Sequence, residues 1–113
     1  MSTALREIEE SIAHNKEIVG KSNALERLKS NPDFRKVVSD GYLREEAIRL
    51  VLLKGDQNMQ RPDRQTAIQA DIDAIGRFAQ YLHSISQFGA MAASSLAEDE
   101  ATREEMAAEE LTK

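Results

Sequence analysis

NPDFRKVVSDGYLREEAIRLVLLKG, residues Asn31–Gly55, holds the densest apolar run of the chain. Its reading decides the fold. Asn31 suits a helix N-cap, Pro32 the first helical position and Asp33 the positive end of the helix dipole. Phe34, Val37 and Val38 are then expected to face inward. SDGY reads as a stop, with Gly41 free to take a positive φ. A further helix is expected from about Leu43 to Lys54. Ala47, Ile48, Leu50, Val51, Leu52 and Leu53 leave that helix little polar circumference, which predicts burial on most sides. Gly55 ends it, and DQNMQRP reads as a loop. The run AIRLVLLKG is thus expected to be a hub on which the other helices pack.

Working outward, Leu5, Ile8, Ile12 and Val19 follow a 3–4 spacing, with Asn15 and Ser22 at polar positions of the same seam. Ser2 or Thr3 can cap the start, and Glu7, Glu9 and Glu10 suit the positive end of the dipole. Gly20 can end a helix, and Asn23 with Glu26 forms a capping box for a new one. This predicts a helix near 4–19 and a short one near 24–30, with one bent helix as the competing reading. Downstream, Pro62 and Asp63 open a last helix. Ile68, Ile72, Ile75, Ala79, Leu82, Gly89, Ala93 and Leu96 lie on its seam, widened by Phe78, Ile85 and Ala92. From 63 to 97 it would span about 50 Å at ~1.5 Å per residue.

The fold class expected is therefore all-α: short N-terminal helices and a buried central helix, packed on a long C-terminal helix in a coiled-coil-like hairpin. Residues 1–97 read as a single helical domain and 98–113 as an acidic C-terminal extension. Hydrophobic residues make up 41% and charged residues 31% of the 113, enough apolar matter for a core rather than a disordered polyampholyte. Without cysteine, disulfide frameworks, thiolate zinc sites and thiol nucleophiles are excluded. No apolar run approaches the ~20 residues of a membrane span. MSTALREIEES is charged from its first turns, so a soluble intracellular protein is expected.

The net charge of −5 resides in the tail, since Ala97 to Lys113 carry seven acids and two bases. The remainder is neutral overall, so nucleic acid is not an expected partner. The tail acids Glu98, Asp99, Glu100, Glu104, Glu105, Glu109 and Glu110 form either a solvated, frayed helix end or an arm for a basic partner. Arg44, Arg49, Arg61 and Arg64 could meet anions, but ion pairs with nearby Glu45, Glu46, Asp56 and Asp63 explain them more simply. His14 and His83 lack a second imidazole at helical spacing, and no metal or cofactor is expected. Asp71 and Asp73 point to different helix faces, and no nucleophile elbow or phosphate loop occurs, so catalysis is not expected.

Gly76, Gly89, Ala90, Ala92 and Ala93 make the long helix smooth enough for close helix approach, either in self-association or in packing within the chain against the central hub. Its seam looks longer than the short helices can cover. Ile68, Ile72, Ile75, Phe78, Leu82, Ile85 and Gly89 are accordingly the candidate interface, and a homo-oligomer is the expected assembly.

The run ALERLKSNPDFRKVVSDGYLREEAIRLVLLK, with DIDAIGRFAQYL downstream, resembles a group of small helical proteins encoded by tailed bacteriophages, commonly among virion-structure genes. The matching features are the Leu-rich turn, NPDF, GYL, EAIRLV and the Ile–Gly seam, over roughly residues 24–82. The resemblance contains no catalytic signature. It implies a phage origin, location in the virion or host cytoplasm, and a structural or assembly role with a virion protein as partner. The rival reading is a small phage protein that inhibits a host protein, its acidic tail imitating a polyanion.

Overall fold

The computed structural model describes residues 2–112, all of whose regular elements are helical. Helix α1 spans Thr3–Lys29 and α2 Pro32–Phe34. A π-helix covers Arg35–Glu46 and runs directly into α3, Ala47–Lys54. A 3-10 turn at Gln57–Met59 leads to α4, Pro62–Leu111. The all-α class and the long C-terminal helix agree with the sequence reading. The chain divides into two compact units, Met1–Leu25 with Ser84–Lys113, and Glu26–His83.

The helix boundaries follow local chemistry at most ends. The Ser2 hydroxyl accepts from the Leu5 amide at 3.1 Å. Asn31 Oδ1 accepts from the amides of Asp33 and Phe34 at 2.9 and 3.1 Å, the N-cap read from sequence. Arg27 and Lys29 sit in the last turn of α1, where the dipole favours cations. After α3, the side-chain Nε2 groups of Gln60 and Gln65 donate to the Lys54 carbonyl at 3.0 and 2.9 Å, satisfying an acceptor that the helix leaves unpaired.

Two expected breaks do not occur. Helix α1 passes through Gly20 without interruption, so the single-helix reading holds over two short helices. A mid-helix glycine costs roughly 1 kcal/mol against alanine. Ile12 and Leu25, on either side of it, are both buried, and their burial contributes more than that. Nor does SDGY stop the second helical run: Gly41 has no positive φ and lies within the π-helix.

In the first unit, α1 packs antiparallel on the C-terminal part of α4. Ile12, Leu25 and Ala92 are buried. Buried Asn15 donates from Nδ2 to Asp99 Oδ2 at 3.2 Å, and Ser11 Oγ donates to the same oxygen at 2.6 Å. A polar layer of this kind fixes the register of two helices, because sliding one turn would leave the buried amide unpaired. Further along, Gly89 lies against Ser22 so closely that a Cβ on Gly89 would fall on the Cβ and Oγ of Ser22.

That contact predicts a graded result. Gly89→Ala should cost about 1–3 kcal/mol by forcing the helices apart. Gly20→Ala, whose new methyl meets nothing within 4 Å, should be neutral or stabilising by up to ~1 kcal/mol. Ser22→Gly should restore much of the loss in the Gly89→Ala background. Urea unfolding measures all four chains, and equal stability of the two alanine variants would refute the close approach.

Candidate association surface

The second unit is built around Leu50, Ile68 and Ile75, which are 2%, 5% and 5% exposed. Leu43, Ala47, Leu53, Met59 and Ile72 pack against them. Tyr42 meets Phe78 edge-to-face, ring centres 6.0 Å apart. The π-helix is what brings these residues to one side. Phe34 and Leu43, nine positions apart, would lie about half a turn from each other on an α-helix. With about 4.4 residues per turn they fall within roughly 20°. Both line the same groove on α4 with Ala79 and Leu82.

The consequence for α3 corrects the hub expectation. Only one of its faces is covered. Leu50 points into the core, whereas Ile48, Val51 and Leu52 are 55%, 60% and 70% exposed. The reason is geometric: a short helix on the surface of α4 has one inward face, and no other element of the second unit covers the outward one. Spacing of three and four places Ile48, Val51 and Leu52 together as one apolar patch. A contiguous exposed apolar patch is more informative than scattered exposed residues. Beside it, Val37, Val38, Gly41, Tyr42, Glu46 and Phe78 line an open groove of about 570 Å³.

The charges around α3 are locally paired. Arg49 bonds Glu46, and Arg44 lies 3.8 Å from Asp40. Arg61 pairs with Asp63 at 3.1 Å. Arg64 donates to the Met59 sulfur at 3.7 Å. The ion-pair explanation of Arg49 and Arg61 thus agrees with the sequence reading, while Arg44 takes a partner that the reading did not name. All three pairs are largely exposed and contribute little to stability.

The interface read from sequence lies mostly inside the chain. Ile68 and Ile75 are buried against Leu50, Ile72 packs on that cluster, and Phe78 and Leu82 line grooves of the same unit. Gly89 is buried against Ser22, and Ile85 is half-buried. A second protein could reach Ile68 or Ile75 only by displacing α3. Of the tail acids, Asp99 belongs to the polar layer with Ser11 and Asn15, and Glu100 is half-buried. Glu98, Glu104, Glu105, Glu109 and Glu110 are exposed along α4, which continues to Leu111 instead of ending near 97. His14 and His83 are exposed, and among the described residues no three His, Asp or Glu side chains gather as a metal site.

The exposed patch was signalled in the sequence by the absence of a polar face in AIRLVLLK. That pattern allows full burial or an unpartnered face, and only the packing of α3 distinguishes them. No described helix is long and apolar enough to cross a membrane. Comparison of the chain with protein-family models, curated proteins and solved structures finds no match.

Proposed function

We infer that the chain is a non-enzymatic association module, and that it pairs with a second copy through the outward face of α3. The observation that carries this reading is the exposed patch Ile48–Val51–Leu52 on a helix whose opposite face is already buried. Antiparallel pairing centred near residue 50 sets Ile48 against Leu52 of the second copy. It also brings Arg44 level with the second copy's Asp56, a favourable charge match repeated by the two-fold axis. The patch is small, so the contact belongs with weak, transient interfaces below about 1,200 Å². The resemblance of residues 24–82 to phage virion-cluster proteins supports an assembly role, in which weak self-association acts cooperatively within a larger particle.

Light scattering and sedimentation test the pairing. The wild type should form a dimer at tens of micromolar. Val51→Glu with Leu52→Glu should hold it monomeric without lowering its melting temperature, since both residues are exposed. Arg44→Glu should weaken pairing more at low than at high salt. A wild type that remains monomeric throughout the concentration range sinks the reading.

A further inference from the structure

We propose that residues 35–46 are a register device: conversion of this π-helix to α-helix turns α3 over, exchanging its buried apolar face for its exposed one. The inference stands on intrachain geometry and is independent of self-association.

The first support is the pattern of exposure. Val37, Ile48, Val51 and Leu52 are all exposed. In the present backbone Val37 lies on a different side from the other three. On an uninterrupted α-helix, however, Val37, Gly41, Arg44, Ile48 and Val51 follow a strict 4–3–4–3 spacing, with Leu52 beside them. Within residues 35–54, the large apolar residues more than half exposed are therefore those that an α-helical register would gather into one stripe. Arg44 is the polar member, and its long stem can carry the guanidinium to solvent.

The second support is phase. An α-helix advances about 100° per residue and a π-helix about 82°. Over the 12 residues of the π segment the difference totals roughly 220°. Applied to α3, this rotation brings the centre of Ile48, Val51 and Leu52 close to the direction that Leu50 now takes, and turns Leu50 outward. A run apolar on all sides can be packed either way. Residues 55–61, which hold one 3-10 turn, are the connection that absorbs the change in helix length.

The third support is Gly41, in the middle of the segment. A Cβ there would lie 2.8 Å from the Lys36 carbonyl oxygen, five residues earlier. The other eleven residues of the segment carry a Cβ in the same helix, so this close approach is particular to the backbone at 41; in an α-helix the carbonyl five residues earlier lies out of contact. Alanine at 41 would therefore oppose the π register, and it is also the best α-helix former. Long π-helices are rare, and shorter ones concentrate at functional sites.

The absence of native cysteine makes the test direct. Single-cysteine chains Leu50→Cys and Leu52→Cys are labelled with a thiol reagent at dilute protein, below association. In the otherwise wild-type chain, position 52 should react at least ~100-fold faster than position 50. Adding Gly41→Ala should invert that order. Retention of the order in a folded Gly41→Ala chain overturns the proposal. Should Gly41→Ala fail to fold, the chain Leu50→Cys with Leu52→Glu decides. Charging position 52 penalises the register that exposes position 50, so labelling at 50 should slow by ~10-fold or more. Unchanged or faster labelling means that position 50 is reached by ordinary unfolding, and the proposal fails.

Discussion

Ile75→Asp is expected to abolish cooperative unfolding of the second unit. Ile75 is buried with Leu50 and Ile68, and half-buried Ile72 packs on the same cluster. An aspartate there is an uncompensated charge in an apolar site, which costs several kcal/mol even after relaxation. The loss of a well-packed isoleucine adds about 2–5 kcal/mol. Against the ~5–15 kcal/mol that stabilises a domain, the combined loss is decisive. Gly76→Ala is the neighbouring control. Its methyl would meet nothing within 4 Å, and alanine should raise stability by up to ~1 kcal/mol. Thermal denaturation followed by circular dichroism reads both. A cooperative Ile75→Asp protein that merely dissociates would return Ile75 to the role of interface residue.

This distinction between unfolding and dissociation marks what the sequence could convey. The seam of α4 was legible, because Ile68, Ile72 and Ile75 repeat at helical spacing. That AIRLVLLK packs on the seam was legible too, but which of its faces does so was not. Leu50 is one of several apolar residues in AIRLVLLK, and only the π-helix before it selects Leu50 over Leu52 as the inward residue. Spacing rules assume 3.6 residues per turn, so a π segment rotates every later residue away from its expected face. The nine-residue separation of Phe34 and Leu43 was the available clue. Glycine misled in the same way. Gly20 and Gly41 read as breaks because glycine tolerates them, yet tolerance does not demand a break when buried residues continue on both sides. By contrast, the Asn31 cap and the polar seam positions Asn15 and Ser22 were legible, since each depends on a neighbour a few residues away or on a simple repeat.

Removal of residues 98–113 should dissolve the first unit. The segment reads as a solvated acidic appendage, whose loss would leave the core intact. In the structure, however, α4 runs on to Leu111, and Arg103 and Met106 are half-buried within it. Asp99 is the acceptor for both Ser11 and Asn15. Truncation after Ala97 leaves the buried Asn15 amide without that partner, at a cost of about 1–3 kcal/mol. It also strips cover from the α1 residues packed alongside, each large apolar side chain contributing up to about 1.5–3 kcal/mol when fully buried. An exposed helix of this composition is marginal on its own. Helicity should therefore fall by more than the deleted residues account for, and amide exchange protection over residues 5–15 should vanish. Charge and packing separate cleanly. Changing Glu98, Glu104, Glu105, Glu109 and Glu110 together to glutamine keeps the helix while removing five exposed negative charges. That chain should retain full protection, whereas Asp99→Ala alone should lose part of it. If the truncated chain instead keeps α1 protected, the tail has no packing role, and the glutamates regain their standing as an arm for a basic partner.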